Sequence, residues 1–498
     1  MTDTTQPVSR RSPREQPAQH AGSSRRRTLI LIVLALSQLM VILDGTIVNI
    51  ALPSAEQDLG FGADQRQWVV TAYALAFGSL LLLGGRLTDL LGRKTSFIVG
   101  LAGFAVASAV AGAAGDFSTL IVGRALQGVF GALLAPAALS LLSTTFTEAK
   151  ERARAFGVFG AVAGAGGAIG LLLGGVLTEY TSWRWCLFVN LIIAAIAIAG
   201  ATTLIPRQSP SVPRPKLDLP GTVLITLGLV GIVYGFSSAG SEGWGSALTI
   251  VPLAIGVVLA IAFVVLETRV AHPLLPMRVV LDRNRGGSYL TIALVGVALF
   301  SVFLFLAYYL QNLRGYTPIQ SGVAFLPLPF AIAITSTMIA PRVVQRFGPK
   351  LPIVAGSLLG ALSLLLLTTI GLTSNYWLTI APALVILGLG MGCIFASTFD
   401  AATANVDPRD AGVASAMVNT AQQIGGAIGT ALLSAIAQSA LTGYLAENGT
   451  DEASQIDAQL ASYQTAFYSG AAVLVFLAIT MFFLLRRGRP AALPTTAA

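Results

Sequence analysis

Residues 29–51, LILIVLALSQLMVILDGTIVNIA, are 23 consecutive residues whose only ionisable side chain is that of Asp44. A helix of about 20 apolar residues spans the hydrocarbon core of a bilayer, so this stretch predicts a transmembrane helix. An acid at that depth is costly and is by default a functional residue with a partner. The chain is therefore expected to cross a membrane and to hold a partner for Asp44 there.

The composition of the whole chain agrees with a membrane protein. Of its 498 residues 55% are hydrophobic and 10% charged, whereas soluble domains carry about 25% charged residues. A large water-soluble enzyme is therefore excluded. Cys186 and Cys393 lie in or beside apolar runs, and His20 and His272 lie outside them. This placement predicts no disulfide framework, no metal site and no cofactor.

Further stretches of spanning length follow the first one along the chain. They predict an all-α polytopic membrane protein with fourteen transmembrane helices. Their approximate bounds are 29–51, 67–85, 95–115, 118–142, 155–177, 186–204, 219–238, 248–268, 288–311, 320–341, 351–371, 376–402, 411–440 and 463–485.

The basic residues predict the orientation. Residues 1–27 are polar and arginine-rich and are expected to form a disordered cytoplasmic tail, with a second tail at 486–498. With the N-terminus inside, 26 of the 30 Lys and Arg residues fall on one side, and Arg66, Arg184 and Arg314 on the other. Such asymmetry predicts the cytoplasmic membrane with both termini cytoplasmic. The net charge of +8 then reports topology, and we expect a monomer without a nucleic-acid partner.

A repeated motif predicts two related halves. Residues 166–170, GGAIG, recur at 425–429, an offset of 259 residues, and acidic loops precede both at the same offset. Many transporters are duplicated bundles. We therefore expect a six-helix bundle over 28–204, linkers and two inserted helices over 205–286, and a second six-helix bundle over 287–485.

Arg124 is the expected partner of Asp44. It lies in the fourth predicted span at a comparable depth below the outer end, so an ion pair is geometrically available. Burial makes a carboxylate hold its proton more tightly, and a neighbouring cation makes it release that proton. The pair could therefore couple proton binding to transport, as an antiporter requires. The alternative is a permanent ion pair that only fixes two helices together.

Other polar groups are candidates for lining a central cavity. Thr46 and Asn49 follow Asp44, while Asn419, Gln422 and Gln423 lie in the thirteenth span. Asn419 and Gln422 share one helical face, although hydrogen bonding between helices would equally satisfy such residues. The sequence has no Gly-x-x-x-x-Gly-Lys-Ser/Thr loop for ATP. Transport would therefore use an ion gradient or be passive.

Three motifs combine charged or polar residues with glycine or proline: residues 43–53, LDGTIVNIALP; residues 124–128, RALQG; and residues 85–94, GRLTDLLGRK. They resemble the signatures of the first span, of the fourth span (R-x-x-Q-G) and of the cytoplasmic loop in one family. That family is the fourteen-span drug:proton antiporter family of the EmrB/QacA type, within the major facilitator superfamily. The resemblance implies a proton-transfer role for Arg124 and an inner gate at Gly85, Asp89, Gly92, Arg93 and Lys94.

Further segments extend the resemblance over nearly the whole chain. They are residues 68–73, 183–185 with Asn190, 309–312 and 422–426. These segments add Tyr73, Tyr309 and Gln311 to the cavity candidates, and the fourth-span motif adds Gln127. The antiporter motif of the fifth span is matched at Gly157, Gly166, Gly170, Gly174 and Gly175, but Leu171 replaces its proline. These glycines predict a close-packed seam in a helix that is straighter than the family pattern implies.

The resemblance implies export of amphipathic drugs, such as dyes, quaternary ammonium cations or antibiotics, in exchange for protons. Two alternatives stay open. The protein could be a dedicated exporter of one compound made by the same cell. It could also be a lipid flippase, or a membrane scaffold without a transport cycle.

Overall fold

The computed structural model describes residues 18–62, 65–206, 218–271, 273–403 and 411–485, and the regular secondary structure within these ranges is helical. The first group of helices is α1 (Ala18–Leu59), α2 (Gln67–Leu91), α3 (Arg93–Gly112), α4 (Phe117–Thr145), α5 (Ala149–Tyr180) and α6 (Trp185–Leu204). Two further helices follow, α7 (Leu219–Glu242) and α8 (Ala247–Glu267). The last group is α9 (Met277–Val280), α10 (Arg283–Tyr308), α11 (Pro318–Ala324), α12 (Pro327–Ile334), α13 (Ala340–Phe347), α14 (Lys350–Leu367), α15 (Ala381–Thr403), α16 (Ala411–Asn448) and α17 (Glu452–Leu484).

Thirteen helical segments in the described ranges are long and apolar enough to cross a bilayer, and α5 adds a shorter apolar stretch at Gly166–Tyr180. The predicted all-α polytopic fold with about fourteen spanning helices is therefore confirmed. We call the end that holds the α2–α3 connection the inner end and the opposite end the outer end, following the predicted orientation.

The start of α1 differs from the prediction. Residues 18–27 were expected to belong to a disordered tail, yet α1 begins at Ala18. Arginine is a good helix former, and two arginines bond this extension to neighbouring helices. Arg26 donates to the carbonyl of Leu204 at 3.0 Å and Arg27 to Glu151 at 2.8 Å. Residues 1–17 and 486–498 lie outside the described residues.

The tenth predicted span, 320–341, is not one continuous α-helix. It consists of α11, α12, a π-helical turn at Thr335–Ile339, and α13. Pro318 and Pro327 are each the first residue of a helix. Proline lacks a backbone N–H and fits the first turn of a helix, where no intrahelical partner is needed. The prolines therefore divide a stretch that is uniformly apolar in sequence.

The repeated glycine motif makes the same kind of contact in both groups of helices. A methyl group added at Gly170 of α5 would lie 2.0 Å from the hydroxyl oxygen of Thr46 on α1. One added at Gly425 of α16 would lie 2.0 Å from the carbonyl oxygen of Ala293 on α10. Only glycine allows helices to approach this closely. The motif thus brings α5 against α1 and α16 against α10.

Helices α7 and α8 pack on each other, and α7 also packs on α2 and α16. Hydrogen bonds hold their inner ends. The Asp218 carboxylate accepts from Gly221 N–H at 2.8 Å, and the Glu267 carboxylate accepts from Leu275 N–H at 2.9 Å. Arg86 of α2 donates to the carbonyl of Pro273 at 3.0 Å. The inserted pair is therefore bound to helices of both groups.

Candidate functional site

Asp44 and Arg124 form the expected ion pair. Arg124 Nη1 donates to Asp44 Oδ2 at 2.6 Å. The Asp44 side chain is 0% exposed and the Arg124 side chain 1%. A charge-assisted hydrogen bond is strong at this depth because water does not compete for it. The pair joins α1 to α4 in the outer half of the bundle.

Two amides complete the environment of Asp44. Gln127 Nε2 and Asn190 Nδ2 both donate to Asp44 Oδ1, at 2.9 and 2.8 Å. Gln127 also donates to the Ser108 hydroxyl at 2.7 Å. We call Asp44, Ser108, Arg124, Gln127 and Asn190 the carboxylate centre; its residues come from α1, α3, α4 and α6.

Arg124 has partners besides Asp44. Its Nε donates to the carbonyl of Val69 at 3.0 Å, and its Nη1 also donates to Gln127 Oε1 at 2.9 Å. The guanidinium carbon lies 4.6 Å from the centre of the Tyr73 ring, a cation–π contact. The Tyr73 hydroxyl has no hydrogen-bond partner among the described residues. These contacts fix the guanidinium between α1, α2 and α4.

The start of α4 helps to place Arg124. Asp116 is the N-cap of α4, and its carboxylate accepts from the N–H and the hydroxyl of Thr119 at 2.9 and 2.8 Å. The bond from the Thr119 N–H, and to a smaller extent the bond from its hydroxyl, hold the pKa of the Asp116 carboxyl below its usual value. Arg124 lies two turns further along the helix, beneath the outer surface.

Among the predicted cavity residues of the first group of helices, Tyr73 and Gln127 lie at the carboxylate centre. Thr46 and Asn49 bond within their own helix instead. The Thr46 hydroxyl is 3.1 Å from the carbonyl oxygens of Ile42 and Leu43, and Asn49 Nδ2 donates to the carbonyl of Gly45 at 2.9 Å. Side chains of this length reach the carbonyl one turn back, so the structure does not bring these two into the centre.

The cavity candidates of the last group of helices also lie away from the carboxylate centre. The Tyr309 hydroxyl donates to the carbonyl of Gly371 at 2.7 Å, and Gln311 donates to the carbonyl of Ile50 at 3.1 Å. Asn419, Gln422 and Gln423 are half-buried on α16. A methyl group at Gly78 of α2 would lie 3.0 Å from Gln423 Cβ, so Gln423 lies where α2 meets α16.

Side chains from both groups of helices meet at the outer end. The Tyr308 hydroxyl of α10 donates to Glu56 of α1. The Arg66 guanidinium lies 4.2 Å from the centre of the Tyr308 ring, and Arg66 is 8% exposed. We call Glu56, Arg66 and Tyr308 the outer closure. Sequence reasoning missed it, although Arg66 was one of only three basic residues expected on the outer side.

The predicted glycine seam divides into two contacts. Gly166, Gly170 and Gly174 face α1, while a methyl group at Gly175 would lie 2.7 Å from Ile319 Cα on α11. At Gly157 such a methyl group would have nothing within 4 Å. The α5 helix continues through Leu171, as expected without the proline. Gly175 therefore forms part of the outer contact between α5 and α11, and Gly157 belongs to neither contact.

The predicted inner gate lies at the α2–α3 connection. Gly85 is in the last two turns of α2, and Gly92, with φ of 89°, separates the helices in a conformation that favours glycine. Lys94 donates to the carbonyls of Thr202 and Ile205 at 2.9 and 2.5 Å. Its ammonium group thus caps the end of α6. The Asp89 side chain lies outside the described residues, and Arg93 is the first residue of α3.

A cavity of about 440 Å³ opens at the inner end between α1 and α5. Most of its lining is apolar, including Leu31, Leu39, Val158 and Val162, and its charged lining residues are Arg27, Glu151 and Arg154. Ligand sites are typically apolar clefts of about 300–1,000 Å³ with a few polar groups. The sequence does not reveal this cavity, because each apolar residue of its lining is ordinary for a membrane helix.

Comparisons with known proteins agree with this architecture. Residues 34–430 match the model of the Major Facilitator Superfamily. The chain is 49% identical over 466 residues to the puromycin resistance protein Pur8 of Streptomyces alboniger, covering 93% of this chain and 92% of that protein. It is 38% identical over 428 residues to the cephamycin export protein CmcT of Amycolatopsis lactamdurans, covering 84% and 87%.

Solved structures show the same fold. A bacterial homologue of the human lysosomal transporter Spinster, in an inward-facing and unoccupied conformation, superposes with a TM-score of 0.65 at 17% identity, covering 92% of this chain and 97% of that one. The match to the family model and the extent of the sequence similarity show that the chain belongs to the major facilitator superfamily of membrane transporters.

Proposed function

We propose that the protein exports an amphipathic antibiotic from the cytoplasm and is driven by protons that enter in exchange. The observation that carries the proposal is the buried pair of Asp44 and Arg124, 2.6 Å apart. A titratable carboxyl beside a cation in mid-membrane marks a proton or substrate pathway. The orientation with both termini in the cytoplasm and the monomeric state stay predictions.

In this mechanism the bond between Asp44 and Arg124 depends on whether Asp44 carries a proton. An external proton that binds Asp44 neutralises the carboxylate and removes the ionic part of its bond to Arg124. Because the two residues lie on α1 and α4, this loosens one link within the outer half of the bundle. Release of the proton to the inside restores the pair. The outer closure and the contact at Gly175 form and break as the two groups of helices move.

Puromycin is the first substrate to test. The relative that is 49% identical over 93% of this chain is named for puromycin resistance, and the relative at 38% is named for cephamycin export. These names favour an exporter of one antibiotic or of a few. The apolar lining of the inner cavity favours the second candidate, a broad multidrug exporter, because such a surface accepts many amphipathic shapes.

Puromycin efflux from cells that express the protein tests the proposal. We expect a higher puromycin tolerance than in cells without the protein, and efflux that stops when a protonophore collapses the gradient. Ethidium efflux measured in parallel separates the two candidates, because only the broad exporter removes both compounds. Efflux that continues unchanged after the protonophore would show that proton coupling is wrong. If neither compound leaves but outer-leaflet lipid tracks expression, the flippase alternative holds.

Gly175→Val is expected to slow puromycin efflux by about tenfold. Overpacking a close contact costs about 1–3 kcal/mol, and about 1.4 kcal/mol changes an equilibrium tenfold. The added side chain would force α5 away from Ile319 and destabilise the state in which the two groups of helices meet at the outer end. Gly167→Val is the matched control, since a Cβ there has nothing within 4 Å. Equal efflux rates in the two variants, at equal amounts of inserted protein, would contradict this role of Gly175.

A further inference from the structure

Asn190 of α6 makes a contact whose direction depends on the charge of Asp44. Its amide lies 2.8 Å from Asp44 Oδ1, and both side chains are 0% exposed. An ionised carboxylate only accepts hydrogen bonds. The part of the amide that faces ionised Asp44 must therefore be the NH₂ group.

The other end of the same amide is unsatisfied. Asn190 Oδ1 is buried and has no hydrogen-bond partner among the described residues. A buried acceptor left without a donor destabilises the fold, so buried polar groups are nearly always paired. The arrangement with Asp44 ionised thus leaves one carbonyl oxygen without the bond it could make.

Ser108 of α3 stands beside the same amide. Its hydroxyl oxygen is 3.4 Å from Asn190 Nδ2 and 2.7 Å from Gln127 Nε2. A hydroxyl both accepts and donates. It can therefore accept from the Asn190 NH₂ group, or donate to the Asn190 carbonyl if that carbonyl occupies the same place.

We propose that Asn190 is a positioning residue whose side-chain amide turns over when Asp44 gains or loses its proton. With Asp44 ionised, the NH₂ group donates to Asp44 Oδ1. When a proton from the external water binds Asp44, the new carboxyl O–H needs an acceptor. A half-turn about the Asn190 side chain places Oδ1 against that O–H and within reach of the Ser108 hydroxyl, and it moves the NH₂ group to the buried position that Oδ1 leaves.

The turn gives Asn190 a part in proton coupling. It supplies a donor to the ionised form of Asp44 and an acceptor to the protonated form, with the proton bound and released at Asp44 alone. Because the amide sits on α6 while Asp44 and Ser108 sit on α1 and α3, each turn exchanges bonds among three helices. The inference rests on the proposed proton coupling through Asp44.

Two variants of Asn190 test the inference in proteoliposomes, where the pH dependence of puromycin efflux is measured. Asn190→Leu removes a donor from the ionised form of Asp44 and an acceptor from its protonated form. Because the charge-assisted bond to the carboxylate is about twice as strong as a neutral one, we expect the half-maximal pH of efflux to move up by at most about one unit. Asn190→Asp keeps the shape of the side chain and should move the half-maximal pH further up, because two adjacent carboxyl groups share a proton.

Cys186→Ala is the matched control, because it trims a buried side chain one turn away on α6 without removing a donor to Asp44. Its half-maximal pH should equal that of the wild type. If both Asn190 variants also keep the wild-type value, the inference is overturned. Wild-type efflux that is independent of the proton gradient would overturn the proposed function itself, so the two failures are distinguishable.

The turn itself has a spectroscopic signature. With asparagine ¹³C-labelled at the side-chain carbonyl, acidification should shift one infrared carbonyl band of the wild type to lower frequency, since that carbonyl gains a hydrogen bond. The shift should be absent from Asn190→Leu and from Asp44→Asn. Proton uptake by Asp44 without this shift in the wild type would show that the amide does not turn.

Discussion

Asp44→Asn is expected to reduce proton-driven puromycin efflux to the level of membranes without the protein. The amide has nearly the size of the carboxylate and keeps an oxygen that accepts from Arg124, but it takes up no proton. Downhill release of puromycin from loaded vesicles should persist, because the lining of the inner cavity does not include Asp44. Efflux from proteoliposomes with an imposed pH gradient measures the proton-driven rate, and efflux without a gradient measures the downhill release.

Asp58→Asn is the matched control for this prediction. Asp58 lies on the same helix and pairs with Arg184 at the outer end, but it is 49% exposed. We expect this variant to keep more than half of the wild-type gradient-driven rate. If Asp44→Asn did the same, the pair with Arg124 would be a permanent structural link, the alternative that the sequence left open, and coupling would have to lie elsewhere.

Arg124→Gln is expected to destabilise the folded protein by about 3–5 kcal/mol, the usual cost of leaving a buried charge without its partner. Asp44 would then keep only the two neutral amides of Gln127 and Asn190. The double variant Asp44→Asn/Arg124→Gln removes both charges and should recover most of the stability while remaining inactive. Denaturation of the four proteins in detergent measures the coupling energy as a double-mutant cycle.

Arg184→Gln provides the comparison for an exposed ion pair. Arg184 and Asp58 are 30% and 49% exposed, and such pairs contribute about 0–1 kcal/mol. We expect Arg124→Gln to be several times more destabilising than Arg184→Gln. Similar losses in the two variants would mean that water reaches the carboxylate centre and that its burial does not govern its energetics. If the double variant Asp44→Asn/Arg124→Gln is stable but inactive, its loss of transport comes from lost proton coupling and not from unfolding.

The carboxylate centre shows which part of a site sequence reasoning can find. Asp44 and Arg124 stood out because charges are rare in membrane helices, and a bundle brings such charges together. Gln127 and Tyr73 were named from motifs. Ser108 was not named, because serine is common in membrane helices. Asn190 appeared only as part of a motif, without a role. Its bond to Asp44 joins residues 146 positions apart.

Some of the predicted site residues bond locally, for a simple physical reason. Thr46 and Asn49 bond to their own helix, and Lys94 caps α6. Short polar side chains in a helix have a backbone carbonyl within reach one turn away. Polarity in an apolar run therefore marks a residue that needs a partner, but it does not say whether that partner is a ligand, another helix or its own backbone.

The sequence by itself determined the membrane class, the number of spanning helices and the pair of charges within them. It could do so because the bilayer acts on each segment separately: length, hydropathy and the cost of a buried charge are local properties. Only the tertiary structure decided which glycines face α1 and which faces α11, that Glu56, Arg66 and Tyr308 close the outer end, and where the inner cavity lies. Those features are made by residues from separate helices, and the direction in which each helix turns its side chains is set by packing between helices.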